Sequence, residues 1–184
     1  VRDFGLTNDY AEVVIFFGCI MHDLGMSIHR ENHEMFSLFL AKPFLEEILH
    51  FMPIEERTVV ISETLHAIIS HSHGSAGKTS TVEGGTVRIA DALDMSKGRS
   101  RIPYQMGQID IHSVSANAIE SVTVGEGKGK PVEIKIVMTT EAGVFQVDDF
   151  IEEKLEASGL VKFIDVKSYL KEHGNTRIYK DYTS

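Results

Sequence analysis

The chain has 184 residues, enough for one substantial domain or for one domain with a small companion. Its formal net charge of −9 argues against general nucleic-acid binding, which needs a basic surface facing the phosphates. A small anionic substrate, held by a local basic cluster or by a metal ion, is compatible with this charge.

The single cysteine, Cys19, lies in an apolar run, which favours a small buried side chain over a nucleophile. With one cysteine no disulfide can form within the chain, and this fits a reducing cytoplasm. No apolar run reaches the roughly 18–20 residues of a spanning helix, and no signal-peptide pattern opens the chain. We expect a soluble cytoplasmic protein that does not associate with membranes.

The first half of the chain predicts helices. A capping box of Asp9 and Glu12 opens a helix that ends near His22. Its run 13–21 is apolar all round, which is typical of a buried central helix, and Gly25 suits the stop that follows.

Helical spacing of apolar residues resumes at 35–49, where Pro43 should end or kink the helix. A third helix follows Pro53 and ends near 71–74. A capping box of Ser80 and Glu83 then opens a helix that stops at Gly98. These segments predict a mainly α fold, with a helical bundle over residues 1–105.

Beyond Tyr104 the pattern predicts a small α+β unit over residues 106–172. It comprises a short helix, two strands joined by a glycine-rich hairpin connection, an amphipathic helix and a further strand. Their predicted bounds are 113–121, 122–124, 132–138, 145–157 and 160–166. The polar residues 173–184 lack periodicity and predict a loose tail.

An adjacent His22-Asp23 pair closes the apolar run of the first helix. One imidazole nitrogen and one carboxylate oxygen suit a divalent cation such as Mn²⁺, Fe²⁺ or Zn²⁺, although the dipeptide alone is weak evidence. Asp91 interrupts a later apolar helix, where an unpaired charge is costly to bury and a bound cation would offset that cost. The alternative is an Asp91 paired with Arg88 or Lys97 at the rim of the core.

Taken together, these patterns resemble the HD superfamily of metal-dependent phosphohydrolases, in which a His, a His-Asp pair and a distal Asp are presented by a helical bundle. The matching stretches are HDLG at 22–25, HEMFS at 33–37, HAIISH at 66–71 and VRIADALD at 87–94. The resemblance implies that His22, Asp23 and Asp91 bind one or two divalent ions, such as Mn, Fe, Mg, Zn or Ni. Asp94, one helical turn further, is the alternative to Asp91.

One feature departs from the family pattern. The family's first His precedes the His-Asp pair, and residues 1–21 contain no His. We expect either that a helix bearing this His precedes Val1 in a longer chain, or that the site has lost a ligand.

Two further histidines are candidates for catalysis. The resemblance implies that His33 faces the metal pocket, where it would bind a second metal or protonate a leaving oxygen. His71 is the additional candidate, while His66 and His73 would face elsewhere on the same helix unless it breaks near residue 71. A solvent-exposed His33 at a helix N-terminus is the alternative.

Several cations are candidates for binding the substrate phosphate through charge-assisted hydrogen bonds. Three of them follow the Asp91 helix, where they would equally complement its dipole. The candidates are Arg30, Lys97, Arg99 and Arg101.

The function implied by the resemblance is metal-dependent hydrolysis of a phosphomonoester or phosphodiester, in a nucleotide or similar small phosphorylated molecule. The alternative is a degenerate HD module that binds a nucleotide or a protein partner in a regulatory role. The α+β unit would suit regulation or the formation of a homodimer.

Overall fold

The computed structural model of the chain describes residues 1–72, 79–95, 111–172 and 175–182. The chain divides into two compact units. Unit 1 contains Val1–Asp91 with Ala157–Gly159, and unit 2 contains Ala92–Glu156 with Leu160–Ser184.

Unit 1 is built from helices, as its apolar spacing predicts. After a short 3-10 turn at Arg2–Phe4, its helices are α1 (Asn8–Met21), α2 (His33–Ile48), α3 (Ile54–Ser70) and α4 (Val82–Leu93), the last of which runs two residues past the unit's boundary. A second 3-10 turn, Leu24–Ser27, follows α1 directly. The buried core of this unit joins the first three helices through side chains such as Val14, Leu45 and Ile68.

The second helix does not end at Pro43, as that residue had suggested, but runs continuously to Ile48. A proline inside a helix costs about 3 kcal/mol, because one hydrogen bond is lost and the ring crowds the preceding turn. Ala41 and Leu45, on either side of Pro43, are fully buried. Burial of this apolar face offsets the cost of the proline.

The fourth helix is capped by Thr81 rather than by the predicted Ser80. The Thr81 hydroxyl accepts the Gly84 N–H at 3.2 Å, and the Thr81 carbonyl accepts the Gly85 N–H at 3.0 Å. Ser80 bonds instead to His66 of α3, whose Nε2 lies 3.1 Å from the serine hydroxyl.

A glycine allows three helices to meet inside unit 1. A Cβ atom added to Gly18 of α1 would lie 2.8 Å from Cγ2 of Val87 on α4 and 3.3 Å from Cβ of Ala67 on α3. Both distances are shorter than ordinary carbon–carbon contacts, so only glycine permits this approach. Each of these three residues is followed one helical turn later by a polar residue. His22 follows Gly18, His71 follows Ala67, and Asp91 follows Val87.

Residues Asn8–Ser27 form a segment long and apolar enough to cross a membrane, with a mean hydropathy of 1.2. The prediction that no segment reaches this length is wrong, because α1 and the following 3-10 turn continue past the His22-Asp23 pair, where the apolar run stops. Val14, Gly18 and Met21 are buried, whereas Phe16 and Ile20 are more than half exposed, so the prediction that this helix is buried all round is wrong.

Unit 2 is the predicted α+β unit. Its described helices are α5 (Ile111–Asn117) and α6 (Val144–Asp149), and α6 continues as a π-helical segment and a 3-10 turn to Ser158. Its four strands are β1 (Ile119–Glu126), β2 (Val132–Met138), β3 (Ile164–Glu172) and β4 (Asn175–Asp181). The fold class predicted from the sequence, a helical bundle followed by a small α+β unit, is confirmed.

The sheet has the strand order β1-β2-β3-β4. β2 and β3 are parallel, and the helical connection between them supplies the crossover that parallel strands need. The outer pairs are antiparallel. Ile134, Ile136 and Met138 are buried, whereas Lys135 between them is exposed, so one face of β2 packs into the core.

Several predicted boundaries differ in unit 2. The helix predicted over 113–121 ends at Asn117, and β1 runs over Ile119–Glu126 rather than 122–124. Residues 161–163 form a 3-10 turn, and β3 begins only at Ile164. The prediction of a loose tail over 173–184 is wrong for 175–181, which form β4. This edge strand pairs with β3 through its backbone and leaves most side chains exposed, so its sequence lacks an apolar alternation.

We predict that Gly18→Ala destabilises the protein by about 1–3 kcal/mol, because the added methyl overpacks the contact with Val87 and Ala67. Denaturant unfolding measures this. The cost should be smaller in a Val87→Ala background, because that change removes the nearer clashing atom. An equal cost in both backgrounds would show that the Val87 contact is not the cause.

Candidate metal centre

The His-Asp pair lies where α1 ends and turns into the following 3-10 segment. His22 follows the last residue of α1 and directs its ring Nδ1 to the Cys19 carbonyl at 2.8 Å. Asp23 precedes the 3-10 turn, and its side chain is 46% exposed. Both side chains therefore stand at the carbonyl end of α1, where partial negative charge favours a cation.

Four imidazoles in the described part of unit 1 share one hydrogen-bonding arrangement; the exposed one is His50, whose Nδ1 lies 2.7 Å from the Glu47 carbonyl. His22, His33 and His71 each place Nδ1 near the carbonyl of the residue three positions earlier, at 2.8, 3.0 and 2.6 Å, respectively. A carbonyl only accepts hydrogen bonds, so each Nδ1 carries the hydrogen. In the neutral ring, Nε2 then offers a lone pair, as a metal ligand must.

The carboxylate of Asp23 lies among these three Nε2 atoms. Its Oδ1 is 3.1 Å from Nε2 of His33 and 3.6 Å from Nε2 of His71. Its Oδ2 is 3.6 Å from Nε2 of His22. The Nε2 atoms of His33 and His71 are themselves 3.3 Å apart.

Asp91 of α4 completes the cluster on the other side of His22. Its Oδ1 lies 3.7 Å from Nε2 of His22, and its side chain is largely buried. Arg88, one turn earlier, donates from Nη1 to the Ser70 carbonyl at 2.8 Å and so links α4 to the end of α3 beside His71. The structure thus brings His22, Asp23, His33, His71 and Asp91 together.

These donor atoms form two overlapping sets. The first donor set is His22 Nε2, Asp91 Oδ1 and Asp23 Oδ2; the second is His33 Nε2, His71 Nε2 and Asp23 Oδ1. Atoms bound about 2.1 Å from one ion, at octahedral or tetrahedral angles, lie about 3.0–3.4 Å apart. The separations in the second set are 3.1–3.6 Å, and in the first set Nε2 of His22 lies 3.6 and 3.7 Å from the carboxylates of Asp23 and Asp91, close to this range.

A single ion would fit a different choice of the same residues. His22, Asp23 and His71 each offer one atom, and these atoms lie within 4.8 Å of one another. The mixed nitrogen and oxygen donors suit Mn²⁺, Fe²⁺ or Zn²⁺.

Burial sets the protonation of two groups near the cluster. It lowers the pKa of His71 below the ordinary value, so this ring is neutral at neutral pH and keeps its Nε2 lone pair. Burial, and then the charge of Asp91, raise the pKa of the Cys19 thiol. Cys19 therefore stays protonated and is a poor nucleophile.

Two polar residues of the HEMFS stretch lie near the cluster. Glu34 is 6% exposed, and its Oε2 lies 3.2 Å from Nδ1 of His33. Ser37 is fully buried against the HDLG turn. Both belong to the HEMFS stretch that contributes to the family resemblance, and each is a polar residue at a core-facing position of a helix.

Other candidates lie elsewhere or outside the described residues. Arg30 contributes its carbonyl to His33, while its side chain is exposed. His66 is bonded to Ser80 at the start of α4. The candidates that fall outside the described ranges are His73, Lys97, Arg99 and Arg101.

We predict that the free energy of unfolding of the metal-free protein falls as the pH drops below about 6.5. Below that pH the unfolded chain protonates His71 more readily than the folded chain does, so protons favour unfolding. The His71→Asn variant keeps a donor near the Ile68 carbonyl, and its free energy of unfolding should fall less steeply with decreasing pH. Denaturant unfolding with chelator at several pH values measures both slopes, and equal slopes would contradict the prediction.

The chain is similar to a known family and to a protein of a methanogen. A family model described as HD domain matches residues 4–96, half of the chain. Uncharacterized protein MJ1020 of Methanocaldococcus jannaschii is 43% identical over 155 residues, which cover 84% of this chain and 59% of that protein. The chain thus spans less than two thirds of the length of this relative.

No solved structure matches the chain. The family match covers the helices that carry all five clustered side chains, from His22 to Asp91. On that match, the chain belongs to the HD domain family.

Proposed function

We propose that this protein hydrolyses a phosphoric ester with the help of one or two divalent metal ions. The observation that carries the proposal is the convergence of three Nε2 atoms, each with its Nδ1 on a backbone carbonyl, around the carboxylate of Asp23. Such orientation of the rings before binding is the arrangement typical of metal sites.

The two donor sets support a site for two ions that share Asp23. His22 and Asp91 would hold one ion, and His33 and His71 would hold the other. Each Asp23 oxygen faces a different set, which suits a bridging carboxylate.

A bound divalent ion lowers the pKa of water and polarises a phosphoryl oxygen. The residues of the chain would hold the ions and transfer protons. Buried His71 stays neutral and serves as a ligand, whereas His33 lies nearer the surface, with Glu34 beside its Nδ1. If His33 is left uncoordinated, its Nε2 is the group placed to pass a proton to a leaving oxygen.

For the substrate we propose a phosphomonoester or phosphodiester in a nucleotide or similar small molecule. The net charge of −9 makes local cations necessary for binding an anion. Metal ions would supply part of that charge, and Arg30, Lys97, Arg99 and Arg101 remain the candidates from the sequence for the rest. We place this activity in the cytoplasm, where the Cys19 thiol would stay reduced, and a homodimer is compatible with it.

We predict that purified protein binds Mn²⁺ and hydrolyses nitrophenyl phosphates or members of a nucleotide panel, and that chelation abolishes turnover. Asp23→Ala should lower metal affinity by more than about 100-fold, because the loss of an outer partner alone costs 10–100-fold. Asp3→Ala, at an exposed carboxylate, is the control and should retain both properties.

Calorimetric titration and elemental analysis would measure the binding. Unchanged metal content in Asp23→Ala would refute the site. Metal binding without turnover on any phosphate would favour the alternative of an HD module that binds a nucleotide or partner in a regulatory role.

The number of ions can be tested with two variants. If the two donor sets hold separate ions, Asp91→Ala and His33→Ala should each retain one of two Mn²⁺ ions per chain. His22, Asp23 and His71 would also permit a single ion per chain. In that case Asp91→Ala and His33→Ala should change the affinity for Mn²⁺, while the stoichiometry stays at one ion per chain. His50→Ala, at an exposed ring bonded to the Glu47 carbonyl, is the matched histidine control.

A further inference from the structure

The hydroxyl of Ser37 joins both ends of the HDLG turn. Its Oγ donates to the His22 carbonyl at 2.6 Å and accepts the Gly25 N–H at 2.8 Å. The side chain is fully buried, so water does not replace either bond. One serine on α2 therefore fixes the backbone on both sides of Asp23.

The glycine of this turn lies directly on the first turn of α2. A Cβ atom added to Gly25 would fall 1.9 Å from the His33 carbonyl oxygen and 2.6 Å from the Ser37 nitrogen. Both neighbours are backbone atoms, which cannot rotate away. The HDLG turn and the start of α2 are thus packed with no room for a side chain.

The same turn of α2 presents His33 to the carboxylate. His33 and Ser37 are four residues apart and share one face of the helix. Ser37 binds the backbone around Asp23, while Nε2 of His33 lies 3.1 Å from Oδ1 of Asp23. The register of α2 against the turn therefore sets this distance.

We propose that Ser37 is a positioning residue that fixes α2 against the HDLG turn and so holds His33 at binding distance from Asp23. This inference rests on the proposed metal site, whose second donor set needs that distance. Ser37 itself would not touch metal or substrate. Its loss would leave the ligands in place but free to separate, since the buried His22 carbonyl and Gly25 N–H would seek other partners.

The test compares wild type, Ser37→Ala and Thr64→Ala. Thr64 is also fully buried, and its hydroxyl donates within its own helix to the Val60 carbonyl, so it is the matched control. Co²⁺ titration reports affinity and, through the absorption spectrum, coordination. Side-chain ¹⁵N shifts of His33 and His71 in the metal-free proteins are recorded in parallel, with His66 as the internal reference.

We expect Ser37→Ala to bind Co²⁺ about 10–100-fold more weakly with an altered spectrum, while Thr64→Ala resembles wild type. Wild-type affinity and spectrum in Ser37→Ala would overturn the inference and leave the metal site standing. If Ser37→Ala does not fold, Ser37→Cys, with its weaker hydrogen bonds, replaces it in the same comparison.

If wild type binds no Co²⁺, the proposed function fails. The ¹⁵N shifts of the metal-free proteins then test by themselves whether Ser37 positions His33. Shifts of His33 and His71 that change in Ser37→Ala, with His66 unmoved, would support it. Unchanged shifts would refute it.

Discussion

The candidate site depends on the close contact of Gly18 with Ala67 and Val87. Three helices can meet there because one of them carries no side chain at that point. The next turn of each helix then holds a polar residue, His22, His71 or Asp91, and these residues face the same region. A larger residue at position 18 would push the helices apart, and the polar groups one turn later would separate with them.

A site of this kind must also keep its imidazoles in one tautomer. The backbone does this by accepting a hydrogen from Nδ1 of His22, His33 and His71. The accepting carbonyl lies three residues before each histidine, so no additional side chain is needed to select the tautomer. The position of the Asp23 carboxylate depends instead on the backbone of the HDLG turn. Ser37 of α2 holds this turn through hydrogen bonds to the His22 carbonyl and the Gly25 N–H.

The sequence predicted the parts of this arrangement that depend on local pattern. Apolar spacing predicted the helices, and the adjacent His22 and Asp23 at the end of an apolar run indicated a cation site. An acidic Asp91 within an apolar helix gave the same indication, and the resemblance to a known family then added His33 and His71. The roles of Gly18 and Ser37 were not predicted, because each depends on a contact with another helix or turn, which periodicity along one segment does not reveal.

The errors have the same origin. Pro43 has a strong local preference against helix interiors, but tertiary burial of Ala41 and Leu45 outweighs it. The strand at 175–181 shows no apolar face because it lies at a sheet edge, where backbone pairing with β3 is what holds it. In both places the deciding interaction is made with residues that a local window does not contain.

The burial of the ligands bears on how a substrate would reach them. His71 is 2% exposed and the Asp91 side chain 11%, whereas the Asp23 side chain is 46% exposed. The cluster therefore opens to solvent at Asp23, between the two donor sets. A phosphate arriving there would meet a carboxylate in a chain of net charge −9, which would repel it. Bound cations reverse the sign of the charge at that opening. Under the proposed function, the ions that activate water would therefore also make the site accessible to an anion, so metal loading should govern substrate binding as well as turnover.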